Sequence, residues 1–182
     1  MLATRLGNHP GTTTIVFGLM GVAVYALMIG ITLAHIEAVS GQLPLDMRLF
    51  GYDPRDVAQL FDGLGEEGRW YYVSRQIPLD TVYPALMALT LVSAFRWLDI
   101  RLPYRRLTRI GITVSVGAAL FDYGENLGIA VMIANWPNLS DPLVHWTSLA
   151  SVSKSALTTL AVTLVFGLTA LRMLQHKTLE RS

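Results

Sequence analysis

The chain has 182 residues, 52 % of them hydrophobic and 15 % charged, with a formal net charge of +1 and no cysteine. Soluble domains carry about 25 % charged residues, so this chain lacks the polar coat of a water-soluble globule, and its mean hydropathy of +0.44 agrees. These values exclude a disordered chain, a nucleic-acid binder built on a basic surface, and any disulfide, thiolate metal site or cysteine nucleophile.

The first apolar stretch, about 14–36, contains no charged residue. About 20 helical residues cross a ~30 Å hydrocarbon layer. A cleaved signal peptide is the rival reading, with Arg5 before the stretch and Ala38-Val39-Ser40 after it. The apolar core exceeds the roughly 7–15 residues of such a peptide, so a membrane span is expected.

An outer segment follows. Asp53 suits an N-cap and Pro54 the first helical position. Val57, Leu60, Phe61 and Leu64 fall on one helical face, and Gly65 suits the left-handed position after a helix. The pattern predicts an amphipathic helix over about 54–64, lying in the outer membrane boundary or on the outer end of the bundle. It reads either as a shield or as a lid over a site below. Trp70, Tyr71, Tyr72 and Tyr83, with Trp136 and Trp146 of a later turn, read first as a headgroup-depth aromatic belt. Such a cluster also suits a lipid-headgroup platform. Pro78 and Pro84 predict an irregular start to the second span, about 78–98.

The third span, about 108–133, contains Asp122, Glu125 and Asn126, and the fourth, about 147–171, contains Lys154. The charges on the connections orient the bundle. Arg5, then Arg96, Arg101, Arg105, Arg106 and Arg109, then Arg172, Lys177 and Arg181 cluster on one side. Residues 37–80 carry eight acids and four arginines, and the turn at 134–147 carries Asp141 and no Lys or Arg. Cationic loops stay cytoplasmic. The expectation is one all-α domain over 1–182, a four-helix transmembrane bundle in a bacterial inner membrane with both termini cytoplasmic.

The intramembrane charges carry the chemistry. A charge at mid-bilayer costs about 2.5–3.5 kcal/mol on insertion scales, so two carboxylates within one turn need compensation. Asp122, Glu125 and Asn126 share a helix face at i, i+3 and i+4. Gly124 and Gly128 form a small-xxx-small pair that admits a neighbouring helix. Lys154 is the expected partner, since at 1.5 Å per residue it and Glu125 both lie ~9–12 Å below the outer boundary. Ser151, Ser155 and Thr158 add polar groups beside it. Asp80 and Tyr72 are expected at the mouth, His35, Glu37 and Tyr25 nearby, and Arg69 is a second cation that could reach down to balance the acids. In the resulting cavity, hydrated and open to the outside, Asp122 or Glu125 would handle protons, while Lys154, Arg69, Asn126, Asp80 and Tyr72 would bind a ligand.

Other signals are weak. His9, His35, His145 and His176 show no ligand spacing, so a metal site is not expected. No phosphate-loop, nucleophile-elbow or dinucleotide fingerprint is present, and the cofactor is unknown from the sequence. Arg101–Arg109 suits anionic lipid heads, or topology alone.

Gly51-Tyr52, Val57, Leu60-Phe61, Leu64-Gly65, Gly68-Arg69, Tyr72, Asp80, Pro84, Asp122, Glu125-Asn126 and Lys154, taken together, resemble a pattern in small uncharacterised four-span bacterial membrane proteins. The resemblance covers about residues 50–160 and brings no activity with it. Three readings stay open: a site for a lipid headgroup or small anion, an accessory subunit whose polar network serves helix packing, and a proton-coupled carrier. Membrane lipids, a partner protein or a second copy are the expected partners, and nucleic acid is not.

Overall fold

A computed structural model describes the backbone of residues 10–179 and the side chains of residues 10–175. Arg5, His9, Glu180 and Arg181 lie outside the described residues, as do the side chains of His176 and Lys177. Among the described residues there is no strand, and four helices are long and apolar enough to cross a membrane. The fold is an all-α four-helix bundle of a multi-pass membrane protein.

Helix α1 runs Pro10–Ser40 and includes a π-helical segment, Met28–Leu33. A loop with a 3-10 turn at Leu45–Met47 leads to α2, Pro54–Tyr71. A second π segment, Tyr72–Gln76, joins α2 to α3, Ile77–Asp99. Helices α4, Arg105–Ala134, and α5, Asp141–Leu179, complete the chain. Helices α1, α3, α4 and α5 pack in that order, each on the next, while α1 and α5 form no packed pair. Large apolar side chains such as Ile15, Leu19, Val22, Leu120, Leu127 and Phe166 face outward, as a lipid solvent requires.

The start of α2 follows the sequence expectation closely. Asp53 accepts from the amides of Arg55 and Asp56, and Asp56 in turn accepts from the Asp53 amide, a reciprocal cap. Val57, Leu60, Phe61 and Leu64 are all buried. Gly65 breaks the helix with φ 61°, which only glycine adopts without cost. The helical path resumes at once, so the second span is reached by a helix longer than the sequence implied. Trp70, Tyr71 and Tyr72 lie on that helix rather than in a loop.

Two apolar cores stand at different depths, outer meaning the end of the bundle that carries α2 and inner the opposite end. The outer core joins Ile36, Leu45, Tyr52, the α2 stripe, Tyr72, Ile129, Met132 and Val144, which places α2 across the bundle end. The inner core joins Leu91, Phe95, Leu98, Leu102, Ala161 and Leu168. Along α3, α4 and α5, the residues between these cores include Asp80, Asp122, Glu125, Asn126 and Lys154. A polar layer is thus held between two apolar ones.

The aromatic residues divide. Trp70 and Trp146 are 71 % and 69 % exposed, as a belt requires. Tyr72 is fully buried, Tyr83 stacks on Tyr25 at 5.2 Å, and Trp136 meets Phe61 edge-on at 5.5 Å. Tyr72 is an internal packing group and not a belt anchor, whereas Tyr83 and Trp136 are half-buried. The glycine pair also divides. A Cβ on Gly128 would sit 2.1 Å from Thr147 Oγ1, so α4 meets α5 there, whereas Gly124 has nothing within 4 Å.

Candidate functional site

The prolines of α3 shape the site locally. Proline lacks an amide hydrogen and its ring crowds the carbonyl four residues earlier. Pro78 therefore disturbs the turn around Ser74, where the chain takes the π geometry of Tyr72–Gln76. This π turn lies against the one in α1, and across the contact Thr32 donates to Gln76 Oε1. Pro84 likewise leaves the Asp80 carbonyl without its helical donor. Asn126 fills that role, donating from Nδ2 to Asp80 O at 2.8 Å, and this bond fixes α4 against α3 at the level of the charges.

Lys154 of α5 meets both acids of α4. Its Nζ lies 3.0 Å from Asp122 Oδ1 and 2.6 Å from Glu125 Oε2. The three side chains are 12 %, 13 % and 0 % exposed, so the charges sit away from bulk solvent. The sequence expectation that these residues converge is met in the geometry. The Glu125 contact is an ion pair outside hydrogen-bond alignment, and Glu125 Oε1 has no donor.

Two further carboxylates join them. Asp80 is 2 % exposed, and its Oδ2 lacks a partner. Asp46, from the outer loop, accepts from Tyr72 at 2.8 Å and from Gln76 Nε2 at 3.4 Å, while its other oxygen is unpartnered. Burial pushes the Asp46 carboxyl above its ordinary range, against the opposing pull of Lys154 and of those hydrogen bonds. Burial also raises the Tyr52 phenol, helped by Glu125 and Asp46, so its hydroxyl stays protonated at neutral pH. Four carboxylates therefore gather around one ammonium, where the sequence had led to an expectation of two.

Arg69 does not supply the missing positive charge. It donates to Phe61 O at 2.7 Å and lies over the Trp136 ring at 5.8 Å. It lines a separate cavity with Glu66, Trp70 and Trp136. The α2 stripe that anchors this stretch on the outer core also holds the guanidinium away from Lys154. His35 packs on Tyr71 at 4.2 Å, and Glu37 is exposed. Among the described residues no group of three His, Cys, Asp or Glu has the geometry to hold a metal ion.

The charged layer faces a cavity of about 640 Å³. Tyr25, Met28 and Leu33 of α1 form one wall, and Val152, Ser155, Ala156 and Thr159 of α5 form the other. Asp80, Tyr83, Asp122 and Lys154 lie between them, and Asp46, Met47, Leu49 and Phe50 line the outer end. The cavity therefore occupies the side where α1 and α5 do not pack together, with the loop beside its outer end. That loop is fastened to α5. The Tyr52 amide donates to Ser148 Oγ at 2.8 Å, and Ser151 Oγ donates to Arg48 O at 3.3 Å. Arg48 also pairs with Asp56 at 2.5 Å. Gly51, at φ 88°, lets the loop approach Ser148, where a Cβ would stand 2.6 Å from the hydroxyl oxygen.

Sequence reasoning missed Asp46, Gln76 and Thr32. Asp46 counted only as one acid of an acidic loop, and its flanking Leu45 and Met47 were the sole hint of burial. Comparison with protein-family models, with curated proteins and with solved structures finds no match for this chain.

Proposed function

We propose that this protein binds the polar head of a membrane-resident amphiphile in the cavity between α1 and α5, with the chain running between its walls into the bilayer. One observation carries the reading: buried charges line a cavity on the one side where neighbouring spans leave each other unpacked, and apolar residues of both spans form its rim. A soluble ligand needs no apolar, lipid-facing wall, whereas an amphiphile needs both halves of this surface. Asp122, which lines the cavity beside Lys154, is placed to take or give a proton at a bound head, whereas Glu125 is fully buried on Lys154 and does not line the cavity. The charge pattern of the connections supports cytoplasmic termini, and in that orientation, in what we read as a bacterial inner membrane, the site lies in the outer leaflet.

The test is retention of lipid by the purified protein in native mass spectrometry, compared with Ala156→Trp. Ala156 is exposed on the rim, so the indole obstructs the cavity without entering a packed core. Loss of a stoichiometric lipid in the variant supports the reading. Equal retention by both proteins contradicts it and favours a network that serves only helix packing.

A further inference from the structure

We propose that the headgroup taken by this cavity is cationic, an amine or ammonium held between Asp46 and Asp80. The inference rests on the amphiphile reading above and names the class of its ligand. Lys154 is engaged by Asp122 and Glu125, at 3.0 and 2.6 Å. Arg48 of the outer loop is engaged by Asp56 and the Leu43 carbonyl. Arg69 belongs to a different cavity. Asp46 and Asp80 line the cavity without an ion pair among the described residues, and each has a buried oxygen without a hydrogen-bond donor.

These two oxygens differ in origin, which makes their convergence informative. Asp80 is set by the proline-modified turn of α3 and its Asn126 clamp. Asp46 is set by the outer loop through Tyr72 and Gln76. Buried carboxylates call for partnered donors or cations, and an ammonium supplies both the charge and up to three N–H groups. An anion brought to the same place meets four carboxylates and a lysine already committed to two of them. The stacked Tyr25–Tyr83 pair lines the same cavity, and aromatic faces attract ammonium groups. The apolar rim then takes the chain attached to the amine.

The experiment uses the full chain in nanodiscs, with empty nanodiscs as the partition control. Dodecylamine, dodecyl phosphate and ethanolamine are compared as probes by thermal shift and by displacement of a fluorescent alkylamine. The expected result is saturable binding of dodecylamine, at least tenfold tighter than of dodecyl phosphate, with ethanolamine weaker than dodecylamine because it lacks the chain. Asp46→Asn and Asp80→Asn each weaken dodecylamine binding at least tenfold. Asp46 lies outside the spans, so its variant keeps the inference testable if Asp80→Asn fails to assemble. Dodecyl phosphate binding as well as dodecylamine, or an unchanged amine affinity in Asp46→Asn, overturns the amine assignment and leaves the amphiphile cavity standing. Ethanolamine binding as tightly as dodecylamine shows a soluble amine site and overturns the amphiphile reading. Failure of all three probes, with Ala156→Trp also without effect on lipid retention, overturns both.

Discussion

Replacing Lys154 by Met removes the only cation between Asp122 and Glu125 while keeping most of the side-chain volume. Glu125 is wholly buried and does not line the cavity, whereas Asp122 is 13 % exposed and does, so Glu125 above all is left without water or a counter-charge when the ammonium goes. Breaking a buried ion pair from one side costs about 3–5 kcal/mol, chiefly because a charge remains uncompensated. Two carboxylates share this lysine, which places Lys154→Met at the upper end of that range. The triple change Asp122→Asn, Glu125→Gln, Lys154→Met leaves no stranded charge and is expected to cost less than the single change, since neutral replacement of buried ionic groups is often near neutral. The assay is reversible unfolding in mixed micelles, titrating a denaturing detergent and following helical circular dichroism. A single variant within about 0.5 kcal/mol of the unaltered protein, at the level of an ordinary surface substitution, refutes the buried-triad reasoning. A triple variant less stable than the single one does so as well. Ligand binding separates a packing role from a functional one, because a network that serves packing alone tolerates the triple change with binding intact.

Tyr72→Phe removes one donor from Asp46, and loosening of the outer loop by about 1–3 kcal/mol is expected, read as faster amide exchange over residues 41–53 with the spans unaffected. The raised Asp46 carboxyl fixes the sign of a pH effect. The folded state holds this proton more tightly than an unfolded loop, so loop protection is greatest in acid and declines as pH rises from the ordinary carboxylate value through the raised one. Asp46→Asn should abolish that dependence after correction for intrinsic exchange; persistence of the slope in the variant assigns it to another group. Gly128→Ala should destabilise the bundle by about 1–3 kcal/mol through the contact with Thr147, whereas Gly124→Ala should stay within about 0.5 kcal/mol, both measured by the same unfolding titration. The chain has no cysteine, so single cysteines at Gln42, Ser140 and Arg106 report orientation directly. An impermeant thiol reagent added to whole cells should label the first two and spare the third, and the reverse pattern refutes the orientation.

The spans, the α2 stripe and the Asp122–Glu125–Lys154 convergence were legible because each rests on helical periodicity and depth, which a sequence carries directly. Val57, Leu60, Phe61 and Leu64 announce a buried face by spacing alone, and Gly65 announces a break by its tolerance of positive φ. Tyr72 was misread as a belt residue because an aromatic beside a span scores alike whether it faces lipid or core, and here the longer helical path turned it inward. Arg69 was misassigned for a related reason. Charge balance alone attracted it to the acids, but a side chain's reach is set by the helix carrying it, and α2 points it toward Phe61 and Trp136. Asp46 and the lateral position of the cavity depend on where a non-periodic loop docks and on which two helices fail to pack. Neither property leaves a local signature in the chain.

The most direct test of the account is photo-crosslinking of a diazirine-bearing membrane amphiphile to the protein in nanodiscs, with the labelled residues located by mass spectrometry. The account predicts labelling concentrated on Met28 and Leu33 of α1 and on Val152, Ala156 and Thr159 of α5, and suppressed by Ala156→Trp. Labelling spread evenly over the outward faces, with Leu19, Leu120 and Phe166 marked as strongly as the cavity walls, contradicts it.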